Sequence, residues 1–267
     1  MAGAAQDGIT ARLTDFDRKT VMTAFPNPLF VALDTPDVAE ATTMAAKVAE
    51  AAGGVKLGLE FFVANGPKGV REVSKASDDV PVFLDLKFHD IPNTVAGAVR
   101  SACAARPAIV NVHGAGGRDM MKAAVDASHD GAAKHLVTRP LVLAVTVLTS
   151  MDQNDLSATG VSRSVSDQVL ELALLARECG IDGVVCSAHE AAMLREACGP
   201  NFRLIVPGVR PAWSATNDQK RIMTPADALQ AGADMLVVGR PITAAVDPVA
   251  AAHRVAQEIR LAQSGSL

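Results

Sequence analysis

The sequence predicts an α/β protein, a single-domain (β/α)8 TIM barrel, and three observations carry that prediction. Eight short β-rich runs recur along the 267 residues, alanine-rich stretches of helical period lie between them, and no Ser/Gly/Pro-rich linker divides the chain. Eight strands alternating with eight helices over roughly 240 residues is the count and size of such a barrel. A doubly wound sheet is the rival fold, but it usually has fewer strands and often opens on a glycine fingerprint. The nearest candidate, "GAGGRD" 114–119, has Asp119 at its sixth position and reads as a turn entering a helix.

In chain order, the first run is "LFVALD" 29–34, followed by "DVAEATTMAAKVAEAAG" 37–53 with apolar residues at i, i+3, i+4 and i+7. "GVKLG" 54–58, "VFLDLK" 82–87, "AIVNVHG" 108–114 and "LVLAVTVL" 141–148 come next. "VSDQVLELALLARECG" 165–180 is again helical in period, and Gly180 suits a helix C-terminus. "GVVCSA" 183–188 leads into "SAHE" 187–190, which has capping-box spacing. "FRLIVPG" 202–208 precedes "TPAD" 224–227, where Thr224 is placed to cap a helix with Pro225 in its first turn, and "DMLVVG" 234–239 is the eighth run. Residues 1–25 are expected to form an N-terminal extension, residues 26–263 the barrel, and the final "SGSL" to fray.

Composition narrows the function. Hydrophobic residues make up 49% and charged residues 20%, enough for a large core, and the net charge of −4 comes without a Lys/Arg cluster. Duplex nucleic acid is therefore not an expected partner, while a single nucleotide remains open. The four cysteines are far apart and form no C-x-x-C pair, which argues against a disulfide framework or a zinc site. No signal-peptide apolar region and no 18-residue apolar run is present, so the expectation is a soluble, cytoplasmic protein with no membrane partner.

The charged stretch "FLDLKFHDIPNTV" 83–95 is the chemical focus. Side chains alternate across a strand, so if Val82, Leu84 and Leu86 face the helices, Asp85 and Lys87 face the barrel interior at its C-terminal end. The same parity turns Asp34 inward after strand 1 and Lys56 inward on strand 2, and Asp90 falls on the loop beyond strand 3. Active sites of this architecture occupy that end. A buried ion-pair cluster that only seals the barrel is the plainer possibility, but such clusters are costly to desolvate and contribute little stability. His89 is expected to face outward, whereas His113 ends strand 4 with inward parity behind the charged group. His129, His135, His189 and His253 are expected on solvated helices or loops. Two lysines already balance the carboxylates, so no metal is expected.

On the far side, strand 7 ends in "PGVRP" 207–211 and strand 8 in "GRPITAA" 239–245. Loops after these strands commonly hold a phosphate on backbone N–H groups. Gly239 permits close backbone approach, and Arg240 and Arg210 offer planar forks to the anion. The connection "PAWSATNDQKRIM" 211–223 reads as a lid, with Gln219 able to reach the phosphate. Thr149 and Ser150, after strand 5, are placed either to bind a ring amide or simply to cap a helix.

"DLKFHDIPNT" 85–94 closely resembles the signature of the orotidine 5′-phosphate decarboxylase family. "VALDTPD" 31–37, "VKLGLEFF" 55–62, "VNVHGAGG" 110–117, "VTVLTSM" 145–151, "VPGVRP" 206–211 and "VVGRPI" 237–242 extend the resemblance in the family's order. The resemblance implies that Lys87 protonates C6 of the pyrimidine, that Asp85 stands beside the scissile carboxylate, and that Lys56 belongs to their network. It implies that Asp90 and Thr94 act in the partner chain's site of a homodimer. Asp34 is implied in substrate contacts, Thr149, with Ser150 beside it, in contacts to the pyrimidine, and Arg210, Gln219, Gly239 and Arg240 on the phosphate side. No metal and no organic cofactor is implied. Two other readings stay open: a magnesium-dependent sugar-phosphate decarboxylase or aldolase of the same barrel type, which would carry an acid where Lys56 stands, and a catalytically silent nucleotide-binding protein.

Overall fold

The structure, a computed structural model, describes Phe25 and residues 27–214 and 223–264. Eight parallel strands close a barrel in sequence order: β1 Leu29–Leu33, β2 Gly54–Gly58, β3 Val82–Phe88, β4 Ile109–His113, β5 Leu141–Val145, β6 Gly183–Val185, β7 Arg203–Pro207 and β8 Met235–Val238. The closing pair, β1 with β8, aligns Phe30 with Val237. Helices cover the outside: α1 Val38–Val48, α2 Leu59–Lys75, α3 Pro92–Ala102, α4 Gly117–His135, α5 Gln153–Ala158, α6 Val165–Glu178, α7 Ala191–Cys198, α8 Pro225–Gln230, α9 Arg240–Thr243 and α10 Pro248–Gln263.

Strand parity separates two apolar layers. Phe30, Ala32, Phe83, Ile109, Leu143, Ile205 and Val237 fill the barrel interior, while Leu29, Val31, Leu33, Val55, Leu57, Val82 and Leu84 pack outward against Ala41, Ala45, Val48, Val70 and Val73 of the helices. Small alanines on the inner helix faces let the helices lie close over the sheet. Gly54 is needed for the interior layer: a Cβ there would lie 2.2 Å from the Phe30 ring.

Strand identity follows the sequence expectation, and two ends differ by more than one residue. β5 stops at Val145 rather than 148, because Leu148 to Met151 closes a turn, and β6 stops at Val185, because Ser187 and Glu190 form the expected capping box of a 3-10 turn. Buried Val147 and Cys186 thus continue the apolar run beyond the ladder. The crossover after β5 splits into α5, capped by Asp152, and α6, capped by Ser164. The chain after β8 splits likewise into α9 and α10. Thr224 caps α8 as its sequence indicates, and Gly180 adopts φ +79° directly after α6 and its C-cap Cys179. "GAGGRD" is a 3-10 turn running into α4, with Gly117 at φ +85°.

Ion pairs do seal the barrel, but at its N-terminal face. Asp182, just ahead of β6, receives both arms of Arg139 at 3.0 Å and the Val142 N–H at 2.7 Å. Asp234, ahead of β8, accepts from Arg195, from Arg203 at 3.2 Å and from the Leu204 N–H at 2.7 Å. These carboxylates hold strand starts in register. All four cysteines are buried and free, and among the described residues no helix is long and apolar enough to cross a membrane.

Candidate active site

The C-terminal mouth brings together four of the charged residues identified in the sequence. Lys56 on β2 places Nζ 3.4 Å from Asp85 Oδ2 and 3.5 Å from Asp34 Oδ1. Lys87 Nζ donates to Asp85 Oδ1 at 2.6 Å. The result is an alternating line, Asp34–Lys56–Asp85–Lys87, across the ends of three adjacent strands. Asp85 and Lys56 are each only 13% exposed, whereas Asp34 is 69% exposed at the rim. Burial alone would push the Asp85 carboxyl upward. The attraction of the Lys56 and Lys87 ammonium groups, with hydrogen bonds from Lys87 and Asn111, outweighs it and holds Asp85 below the usual carboxylate range. Asp85 is therefore a fixed negative charge at neutral pH.

Lys87 is delivered by a deformation of β3. Leu84 pairs with Val110 and Phe88 with Val112, so three β3 residues face the single residue Asn111. At this bulge Lys87 takes φ +50°, the left-handed region that a lysine rarely occupies. Such a conformation costs about 1–3 kcal/mol and persists only where the surroundings enforce it. Here Asn111 Oδ1 accepts the Lys87 N–H at 2.7 Å, and Asn111 Nδ2 donates to Asp85 Oδ1 at 2.7 Å. Asn111 is completely buried. Its inward parity on β4, between Ile109 and His113, was the available signal, yet sequence reasoning singles out only His113.

His113 lies behind this group. Burial, then the neighbouring His89 and Lys87, hold its imidazole below its ordinary range, with Asp85 opposing them. His89, expected to face outward, is exposed, and its ring lies 5.2 Å from that of His113.

Asp90 does not join the line. Its Oδ1 accepts the Ile91 N–H at 2.6 Å, both Asp90 and Thr94 are exposed, and Asp90 makes no ion pair among the described residues. Thr149 and Ser150 lie exposed in the turn after β5; neither caps α5, which uses Asp152. On the other side of the mouth, Gly239 meets β1: a Cβ there would sit 3.8 Å from Asp34 Oδ2. Arg240 opens α9 and is exposed. The Arg210 N–H donates to the Met223 carbonyl at 3.0 Å, joining the two ends of the long connection after β7. Trp213, at the start of that connection, lies against Arg254 of α10 with the guanidinium carbon 4.6 Å from the ring centroid. Gln219, and with it most of the expected lid, lies outside the described residues.

A closed parallel barrel whose C-terminal mouth alternates two carboxylates with two ammonium groups has the architecture of a barrel enzyme, with its charge gathered at the end where such active sites lie. The family described as "Orotidine 5′-phosphate decarboxylase / HUMPS family" matches residues 27–255. The chain belongs to that family. It is 58% identical over 233 residues to the orotidine 5′-phosphate decarboxylase of Rhodospirillum rubrum, covering 87% of this chain and 94% of that protein. It is 51% identical to the enzyme of that name from Paramagnetospirillum magneticum, covering 88% and 99%. Among solved structures, orotidine 5′-phosphate decarboxylase from Lactobacillus acidophilus superposes with a TM-score of 0.77 at 35% identity, covering 87% and 99%.

Proposed function

We propose that this chain decarboxylates orotidine 5′-phosphate to UMP, a step of pyrimidine biosynthesis, without metal or organic cofactor. The observation that carries the reading is the Asp34–Lys56–Asp85–Lys87 line at the barrel mouth. Loss of CO2 from C6 leaves an electron pair in the plane of the pyrimidine, where the ring π-system cannot spread it. The chemistry needed is a preorganised cation at C6 that also carries a proton. Lys87 fits it: its ammonium stabilises the developing carbanion and then protonates C6. Asp85, ionised and buried, holds that ammonium and sets a like charge beside the substrate carboxylate, a repulsion relieved as CO2 departs. Lys56 keeps Asp85 ionised, and Asp34 contacts the substrate.

Phosphate binding is assigned to Arg210, Gln219, Gly239 and Arg240, and the pyrimidine to Thr149 and Ser150. Remote phosphate contacts supply binding energy that is expressed at the reacting carbon. The active unit is a homodimer in which Asp90 and Thr94 complete the partner's site. The catalytic barrel is assigned to 26–263 and the enzyme to the cytoplasm; residues 1–24, nearly all of the expected N-terminal extension, lie outside the described residues.

Purified protein should convert orotidine 5′-phosphate to UMP at the same rate with and without EDTA. Activity that EDTA removes and magnesium restores would favour the sugar-phosphate reading instead. Lys56 speaks against that reading, since its ammonium stands between two carboxylates where a divalent ion would otherwise balance them. A silent nucleotide binder is disfavoured by the presence of both Lys87 and Asp85.

Replacing Arg240 by Ala should lower kcat/KM by roughly 3 kcal/mol, about 10²-fold, the scale of removing a charge-assisted hydrogen bond from a closed site. A substrate truncated to lack the phosphate should be nearly insensitive to the same change. Equal losses on both substrates would give Arg240 another role.

A further inference from the structure

We propose that Asn111 is a positioning residue for the decarboxylation, acting through the backbone of Lys87 and the carboxylate of Asp85; the inference rests on the function proposed above. Its carboxamide uses both ends on these two residues. The acceptor end takes the Lys87 N–H at 2.7 Å and the donor end reaches Asp85 Oδ1 at 2.7 Å. That same Oδ1 receives Lys87 Nζ at 2.6 Å. One side chain therefore fixes the backbone from which the ammonium projects and the carboxylate that aims it.

The bulge makes this bracket necessary. Three β3 residues face Asn111 alone, so the Lys87 N–H has lost the regular ladder partner that strand pairing would give it. A left-handed lysine persists only if something outside its own preference holds it, and the Asn111 oxygen is the group that does so. Burial strengthens the case. Asn111 is fully buried beside an interior layer of Phe83, Ile109 and Leu143, where an apolar residue of similar size would pack without desolvating an amide. No other residue type of this size fits as well. Aspartate would set a second carboxylate against Asp85, and leucine would leave the Lys87 N–H unpaired. The charged and titratable groups around the amide are Lys56 from β2, Asp85 and Lys87 from β3, and His113 from β4 with His89 beside it, while β5 brings only Leu143 opposite.

The test uses the full chain and its Asn111→Ala and Asn111→Asp variants, assayed on orotidine 5′-phosphate with folding followed by circular dichroism and thermal melting. Asn111→Ala should lose about 10²-fold in kcat, the effect of a small misplacement of a reacting group, with KM within about threefold of the parent because the binding groups are untouched. Asn111→Asp keeps the acceptor for the Lys87 N–H but can donate to Asp85 only when the new carboxyl is protonated. Its kcat relative to the parent should therefore rise as pH falls from about 8 to about 5.5, whereas the Asn111→Ala ratio should stay flat. A merely space-filling role predicts no such difference. The inference is overturned if folded Asn111→Ala keeps kcat within about threefold of the parent, if the Asn111→Asp ratio does not change with pH, or if neither variant folds. A parent that turns over no orotidine 5′-phosphate removes the functional reading itself, a result distinct from any of these.

Discussion

Lys87→Ala should abolish turnover, by on the order of 10⁴-fold or more, in a protein that still folds. The size follows from two roles removed together: electrostatic stabilisation of the carbanion and delivery of the proton, each worth at least about 10²-fold. Folding should survive because Asp85 keeps partners after the change, with Lys56 Nζ at 3.4 Å and Asn111 Nδ2 at 2.7 Å. The Lys87 side chain is 29% exposed at the mouth, so its removal opens no cavity in the core. The Lys87 N–H, still held by Asn111, keeps the bulge in place. Asp85 is a poorer probe, since deleting it would leave two lysines facing each other without their shared counter-ion. Near-normal kcat in a folded Lys87→Ala protein would exclude Lys87 as proton donor. Melting temperature and kcat measured on the same preparation separate a chemical defect from a structural one.

Much of this site is legible in the sequence because a barrel strand has a two-residue period and a defined active end. Asp34, Lys56, Asp85 and Lys87 could be placed inward from the outward apolar residues alone, and the structure brings all four into one line. The β3 bulge was not legible. It arises from a mismatch in length between β3 and β4, and nothing in "VFLDLK" marks Lys87 for positive φ, since lysine is not a residue that favours the left-handed region. Asn111 is easily passed over for the related reason that one amide inside an apolar run looks like an exception to the pattern. Its meaning depends on what β3 does opposite it. The helix count differed for a local reason: an extra helix begins at the capping residue Asp152 ahead of the expected one after β5, and the stretch after β8 splits in two, its second helix starting at Asp247. Ion pairs that tie strand starts together are also found at the opposite, N-terminal end, at Asp182 and Asp234.

The position of Asp90 leads to the second large effect, which only a dimer can show. Asp90 stands just beyond the strand that carries Lys87, yet it is exposed and its carboxylate binds its own chain at the Ile91 N–H. Ile91 next to it is 67% exposed, and Leu59 and Val63 of the helix after β2 are 52% and 82% exposed. If Asp90 serves the partner's site, two-fold symmetry makes the exchange reciprocal. Lys87→Ala and Asp90→Ala proteins, each inactive alone, are then mixed in equal amounts and allowed to exchange subunits. In a mixed dimer one site carries both defects, while the other takes intact Lys87 from one chain and intact Asp90 from its partner. Random pairing makes about half the dimers mixed, so roughly a quarter of all sites should regain activity. An Asp90 acting within its own chain leaves every site in every dimer with one defect, and no mixture recovers anything. Subunit exchange confirmed by native mass spectrometry, with activity unmoved from the level of the two parents, would rule out the shared site.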